Sequence, residues 1–168
     1  MSRTLVIRRA ENMDLPGICK IYAAAREKMV QNLNPAQWTN GYPTQALLED
    51  DIAKGELYKV LDQDQIVGVF ALVPGPDEVY SRIDGAWQNE EPYLAIHRIA
   101  ALGGGGITTT VMDWVGQQTN NIRIDTHNDN IAMRNILEKT GFAYVGELTM
   151  PDGTARRAYH LVKPQRDS

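Results

Sequence analysis

Four consecutive glycines, Gly103 to Gly106, separate an apolar segment ending His97-Arg98-Ile99-Ala100 from an amphipathic run that begins at Ile107. Ile107, Val111, Trp114 and Val115 recur at helical spacing, so the glycines open a helix. The first-turn amides of a helix have no partner within it, and the helix dipole is positive at that end. An entrance stripped of side chains there suits a phosphate or pyrophosphate. The expected donors are the amides of Gly104, Gly105, Gly106, Ile107 and Thr108, with the Thr108 hydroxyl adding one bond. The loop has no charged donor, so backbone geometry must do the holding. The chemistry this pattern suggests is that of an enzyme that grips a pyrophosphate cofactor.

The elements that position this loop can be read around it. Thr4 to Arg9 reads as a first strand. Asp14 is the expected N-cap of a helix carrying Leu15, Ile18, Tyr22, Ala25 and Met29 on one face, with Pro16 in its first turn. An irregular stretch from Asn32 to Pro43 follows, and Thr44 is placed to cap a second helix that Gly55 stops. Leu57 to Leu61 and Gln65 to Val73 read as a hairpin turned at Asp62-Gln63-Asp64. The second of these strands is nearly all apolar and belongs in the middle of a sheet. Residues 77–91 read as a long link. Tyr93 to Ala100, Ile122 to Thr126, Phe142 to Thr149 and Arg156 to Val162 complete the strands. Met133, Ile136 and Leu137 give the last helix its buried stripe, with Gly141 at C′. Strand, two helices, three strands, helix, strand, helix and two strands make an α/β (α+β) chain with a mixed sheet.

Composition narrows the function classes. The chain has 168 residues, 43% hydrophobic and 23% charged, which suits one domain with a real core. Seventeen basic and 21 acidic side chains give a net charge of −4, which argues against nucleic acid as a partner. There is no apolar run long enough for a membrane span and no signal-peptide core at the N-terminus. Cys19 is the one cysteine, so an intrachain disulfide and a multi-cysteine zinc site are excluded, and no metal is expected. Cys19 falls on the buried face of its helix. A cytoplasmic protein fits these features. The chain lacks an early G-x-G-x-x-G turn with an acidic ribose ligand, so a Rossmann enzyme is not favoured.

The residues resemble the GNAT superfamily of N-acetyltransferases over nearly the whole chain. Gly103-x-x-Gly106-x-Thr108 aligns with the family's Gln/Arg-x-x-Gly-x-Gly/Ala loop and keeps the middle glycine. Asn130, Met133, Glu138, Lys139, Gly141 and Phe142 match the second family motif. The resemblance implies a single GNAT-like domain over 1–168, with a mixed, mostly antiparallel sheet flanked by helices and acetyl-CoA as co-substrate. It implies that the strand of Ile96 to Ala100 splays from that of Ile122 to Thr126, leaving backbone near Arg98, Ile99 and Ala100 to pair with pantetheine. Asn130 would then bind cofactor or cap its own helix. Many family members carry a tyrosine, often the proton donor to the thiolate, where this chain has Leu137.

Acetyl transfer to an amine requires the amine to be neutral and the thiolate to leave. Deprotonating a lysine-like amine at neutral pH costs roughly 4.6 kcal/mol, a protein α-amine only roughly 1.4. A lysine-like acceptor therefore needs a base. His97 is the first candidate, because histidine as a residue type suits proton transfer near neutral pH and this one lies where the family places its chemistry; the alternative is a satisfied core histidine. His127 is the second, and Glu90 and Glu91 read as solvated charges. With Leu137 unable to serve, Tyr159 is the expected acid, against a packing role for it and for Tyr144, or an unassisted thiolate. Gln37, Trp38, Tyr42 and Trp87 lie in irregular segments and can wall an acceptor pocket or simply cover the sheet. Asp84 can pair with an ammonium or serve a turn. Arg98, on an otherwise apolar strand, needs a buried carboxylate or a ligand anion. Arg156 and Arg157 read as surface.

The leading expectation is direct acetyl transfer from acetyl-CoA to a primary amine of a small molecule or a peptide N-terminus, with a homodimer as a common state of such enzymes. The alternative is a non-catalytic acyl-CoA-binding sensor or interaction module on the same fold.

Overall fold

The computed structural model describes residues 4–31, 42–102 and 106–164. It contains four α-helices and eight strands in a mixed, mostly antiparallel sheet, the α/β architecture expected from the sequence. The hydrogen-bonded strand order is β1-β2-β3-β5-β6-β8-β7-β4. The chain divides into two compact units: Met1–Leu72 with His97–Val111, and Val73–Ile96 with Met112–Ser168.

In the first unit, β1 (Leu5–Arg9) pairs antiparallel with β2 (Leu57–Asp62), which pairs antiparallel with β3 (Gln65–Pro74). The hairpin turns at Gln63, whose φ of 58° is left-handed. Helix α1 (Leu15–Gln31) buries Ile18, Ile21 and Tyr22. Cys19 is half-buried rather than fully covered. Asp14 is not the cap of α1. A 3-10 turn at Asn12–Asp14 runs directly into the helix, so the helical path starts earlier and the capping position moves to Glu11. The Asp14 carboxylate accepts from the Glu11 amide at 2.8 Å and ion-pairs with Lys59 at 2.8 Å. Thr44 does cap α2 (Gln45–Ala53), its hydroxyl accepting from the Leu47 amide at 3.2 Å. Val69, Phe70, Ala71 and Leu72 of β3 are buried, as a central strand requires.

In the second unit, β5 (Leu94–Ala101) pairs in parallel with β6 (Asn121–His127) through Leu94–Ile96 and Ile122–Ile124. Strand β6 pairs antiparallel with β8 (Ala155–Val162), and β8 with β7 (Ala143–Thr149). The segment 77–91, read as a plain link, holds a 3-10 turn at Tyr80–Arg82 and a two-residue strand, β4 (Asp84–Gly85), paired with Gly146 and Glu147 of β7. Two residues carry no periodicity for a sequence reading to catch. Tyr80, Tyr93, Ala95, Leu148 and Ala158 form a buried cluster, with Trp87 and Val145 against it. Gly75 donates its amide to the Tyr93 carbonyl at 3.0 Å, and a side chain at Gly75 would run into the Tyr93 ring.

Helix α3 (Ile107–Gln118) follows the glycine run, and its Ile107 and Val111 are buried. Helix α4 (Ile131–Lys139) buries Leu137 and ends at Gly141, whose φ of 99° fits the C′ position.

Candidate functional site

The first unit holds the second half of β5 and the entrance of α3, and both depart from regular backbone. Arg98 adopts φ 54°, a left-handed conformation that side-chain-bearing residues rarely take. It is held there from two sides. Its carbonyl accepts a 2.7 Å hydrogen bond from the Tyr22 hydroxyl of α1. Its guanidinium forks onto Asp51 of α2, Nε to Oδ2 and Nη2 to Oδ1, both at 3.0 Å. Nη1 reaches the Tyr42 hydroxyl at 3.3 Å. The ion pair is well sheltered, with side-chain exposures of 12% for Arg98 and 4% for Asp51. Burial pushes the Asp51 carboxyl up, and the Arg98 charge pulls it back. Burial likewise raises the Tyr22 phenol, so it remains a proton donor.

At the α3 entrance, Gly106 is exposed with φ 103°, and a Cβ placed on it would meet nothing within 4 Å. The Gly106 carbonyl accepts from the Thr110 amide at 2.8 Å, which starts the helix. The amides of Ile107 and Thr108 belong to the first turn, where no intrahelical acceptor exists. Ile107 is buried and anchors the turn, while Thr108 is half-buried. On β3, Gly68 leaves room for this anchor: a Cβ there would lie 3.0 Å from an Ile107 methyl and 3.3 Å from the Ala100 carbonyl. Gly104 and Gly105, expected as donors, lie outside the described residues, as do Gln37 and Trp38.

His97 and Ile99 flank Arg98 on β5 and are half-buried, and Ala100 is buried. The structure therefore brings Arg98 and Tyr42 together and adds two residues that the sequence reading missed as site residues, Tyr22 and Asp51. Tyr22 is hidden in an apolar stripe. Asp51 did leave a signal: it lies three residues after Leu48, so a carboxylate shares the buried face of α2.

In the second unit the candidate side chains already have structural partners. Tyr159 is fully buried, its hydroxyl accepts from Arg157 Nε at 3.0 Å, and its ring meets Tyr144 edge-on at 5.9 Å. Asn130 caps α4, accepting from the Met133 amide at 3.2 Å. The Trp87 indole donates to the Tyr80 carbonyl at 2.8 Å, and its ring faces the Arg123 guanidinium at 4.3 Å. His127 accepts from the Asp129 amide at 3.1 Å. Glu90 and Glu91 are exposed. Asp84 pairs in β4. Arg156 is not at the surface: it reaches Asp125 at 3.5 Å, and Tyr80 donates to the other Asp125 oxygen at 2.7 Å.

A buried polar cluster was also missed. His160 is fully covered, its Nδ1 accepts from the Gln88 amide at 3.0 Å, and Nε2 faces the Asn121 side-chain oxygen. Asn121 donates in turn to Asn89 and to the Glu91 and Pro92 carbonyls. Burial and the nearby Arg123 charge lower the His160 pKa to about 4. Among the described residues no group of three His, Cys, Asp or Glu is placed to hold a metal, and no helix is long and apolar enough to cross a membrane.

No protein-family model matches this chain, and no curated protein matches it. Solved structures do. A GNAT-family acetyltransferase from Streptococcus agalactiae shares 29% identity with a TM-score of 0.88, covering 96% of each chain. A chain from Staphylococcus aureus shares 27% identity with a TM-score of 0.70, over 94% of this chain and 98% of its own. The fold alone extends to the NatC complex bound to Gag peptide and CoA, at 13% identity and a TM-score of 0.60, over 95% of this chain and 99% of the other. These findings define the class as acyl-transferring enzymes. Within it, the chain is similar over nearly its whole length to GNAT-family acetyltransferases.

Proposed function

We propose that the chain transfers an acetyl group from acetyl-CoA directly to a primary amine of a small molecule or a peptide N-terminus. The observation that carries this reading is the uncovered, left-handed Gly106 at the mouth of α3, eight residues after the left-handed break at Arg98. An open first turn offers backbone donors to a pyrophosphate, and the part of β5 beyond its Leu94–Ile96 pairing with β6 offers backbone to the amides of a pantetheine arm. The likeness to GNAT-family acetyltransferases, one of them with CoA bound, supports the same assignment.

Bound acetyl-CoA supplies the thioester. The rest falls to the chain. Gly106, Ile107 and Thr108 hold phosphate, with Gly104 and Gly105 beside them in sequence, and Arg98, Ile99 and Ala100 offer strand backbone. His97 accepts the proton that the amine loses as its nitrogen attacks the carbonyl carbon. The C–S bond then breaks and the thiolate departs. Tyr159 accepts from Arg157 and keeps its own proton to give, so it supplies the thiolate's proton only if the sulfur reaches that buried hydroxyl; unassisted departure needs no such approach. Tyr42 borders the acceptor, and Asn130 acts first as a helix cap.

A second reading, an acyl-CoA-binding sensor without turnover, is favoured by two observations. Leu137 is fully buried and inert, and the Tyr159 side chain is fully buried. Titration calorimetry with acetyl-CoA, followed by a thiol-release assay over a panel of amines, separates the two. Uptake with thiol release supports the enzyme, uptake without release across the panel supports the sensor, and no uptake at millimolar acetyl-CoA removes both.

A further inference from the structure

We propose that Tyr22 and Asp51 are positioning residues for the acyl-CoA arm: together they hold the Arg98 peptide in the left-handed conformation that interrupts the extended backbone of β5. This rests on the acyl-CoA reading above and names the residues that make that site.

The argument starts from an unfavourable backbone. A side-chain-bearing residue in the left-handed region persists only where its surroundings impose it. At Arg98 two attachments act on the two ends of one residue. The Tyr22 hydroxyl takes the carbonyl at 2.7 Å, and the Asp51 carboxylate takes the guanidinium through two bonds of 3.0 Å. A carbonyl that accepts from a side chain of α1 is turned toward that helix. The carboxylate is nearly unexposed and the guanidinium planar, so the fork has one geometry. The phenol is neutral through burial and always able to donate. Both attachments come from helices, α1 and α2, so the irregular backbone at Arg98 is set by elements outside the strand.

Neither attachment requires Arg98 to touch the cofactor through its side chain. The guanidinium is used up on Asp51 and Tyr42. What the pair contributes is a fixed peptide orientation at residues 98 and 99, in advance of binding.

The test measures CoA affinity by titration calorimetry, with thermal melting in parallel, on the full chain. Tyr22→Phe keeps the ring and removes only the donor, and should weaken CoA about fivefold. Removing Asp51 alone strands a buried charge and risks the fold, so the charge is removed with it. Asp51→Leu with Arg98→Gly and Asp51→Leu with Arg98→Ala differ only in tolerance of positive φ. Glycine adopts that conformation at little cost, alanine does not. The glycine double variant should therefore bind CoA about tenfold more tightly than the alanine one. A role in charge or packing alone predicts equal affinities for the two, and that result overturns the proposal. So does Tyr22→Phe with wild-type affinity. If the unaltered chain takes up no CoA at all, the acyl-CoA reading itself falls, a result distinct from unaltered chain and variants all binding alike.

Discussion

Arg98 and Asp51 meet through two parallel 3.0 Å hydrogen bonds, a planar fork on a planar carboxylate, in a setting where the carboxylate side chain is only 4% exposed. The pair joins α2 to β5 and is the best-sheltered ion pair described in the first unit. Its energetics differ from those of the exposed pairs Lys54–Asp50 and Arg82–Glu78, which contribute little in water.

Removing one partner should be costly. Asp51→Ala leaves a guanidinium buried without its counter-charge and is expected to destabilise the chain by about 3 to 5 kcal/mol. Asp51→Leu with Arg98→Met, an apolar pair of similar volume, should recover most of that loss. Urea denaturation of the three proteins checks this. Equal midpoints for Asp51→Ala and the unaltered chain would show that the pair contributes nothing.

Substitution at Gly106 should separate backbone strain from blockage. Gly106→Ala has room but the wrong backbone preference, and should cost about 1 kcal/mol of stability while retaining measurable CoA uptake. Gly106→Glu adds a long side chain and a negative charge at the expected phosphate position, and should abolish uptake. Calorimetry with CoA decides, and normal binding by the glutamate variant would place the phosphates elsewhere.

His160 should make stability depend on pH. Its folded pKa is lowered to about 4 from an ordinary 6.5, so below 6.5 the unfolded chain binds the extra proton first. Stability should be level above about pH 6.5 and fall as pH drops toward 4, by up to roughly 3 kcal/mol. The structural cause is direct: protonated Nδ1 would face the Gln88 amide, a second donor. Denaturation midpoints from pH 7 to 4, compared with those of His160→Gln, test the assignment; parallel curves would remove His160 as the source.

Asn130 can be tried in its two expected roles at once. Loss of the cap in Asn130→Ala should cost about 1 kcal/mol and leave CoA affinity close to that of the unaltered chain. A large loss of affinity with unchanged melting would assign the side chain to the cofactor instead.

Much of this was legible in the residue order, for identifiable reasons. The strands β3, β5 and β6 and the helices α3 and α4 carry long periodic or apolar patterns, and Thr44 and Gly141 are strong stop and start signals. The need for a partner at Arg98 was readable, because a guanidinium on an apolar strand must be answered. The identity of that partner was not, since Asp51 lies 47 positions away and only the fold brings it near. Tyr22 was hidden by its own success as a core residue. Strand β4 is too short to have a pattern. The cluster around His160 gathers the adjacent Gln88 and Asn89 from one segment and Asn121 from another, each unremarkable alone.

Gly106 and Gly75 need glycine for opposite reasons, and the difference bears on what chemistry could replace them. At Gly75 the obstacle is volume, because the Tyr93 ring occupies the place of an L side chain. At Gly106 space is free and the obstacle is chirality alone, set by a φ of 103°. A D-alanine installed there by peptide ligation would share the backbone's hand where L-alanine opposes it, so the mouth of α3 discriminates between mirror images.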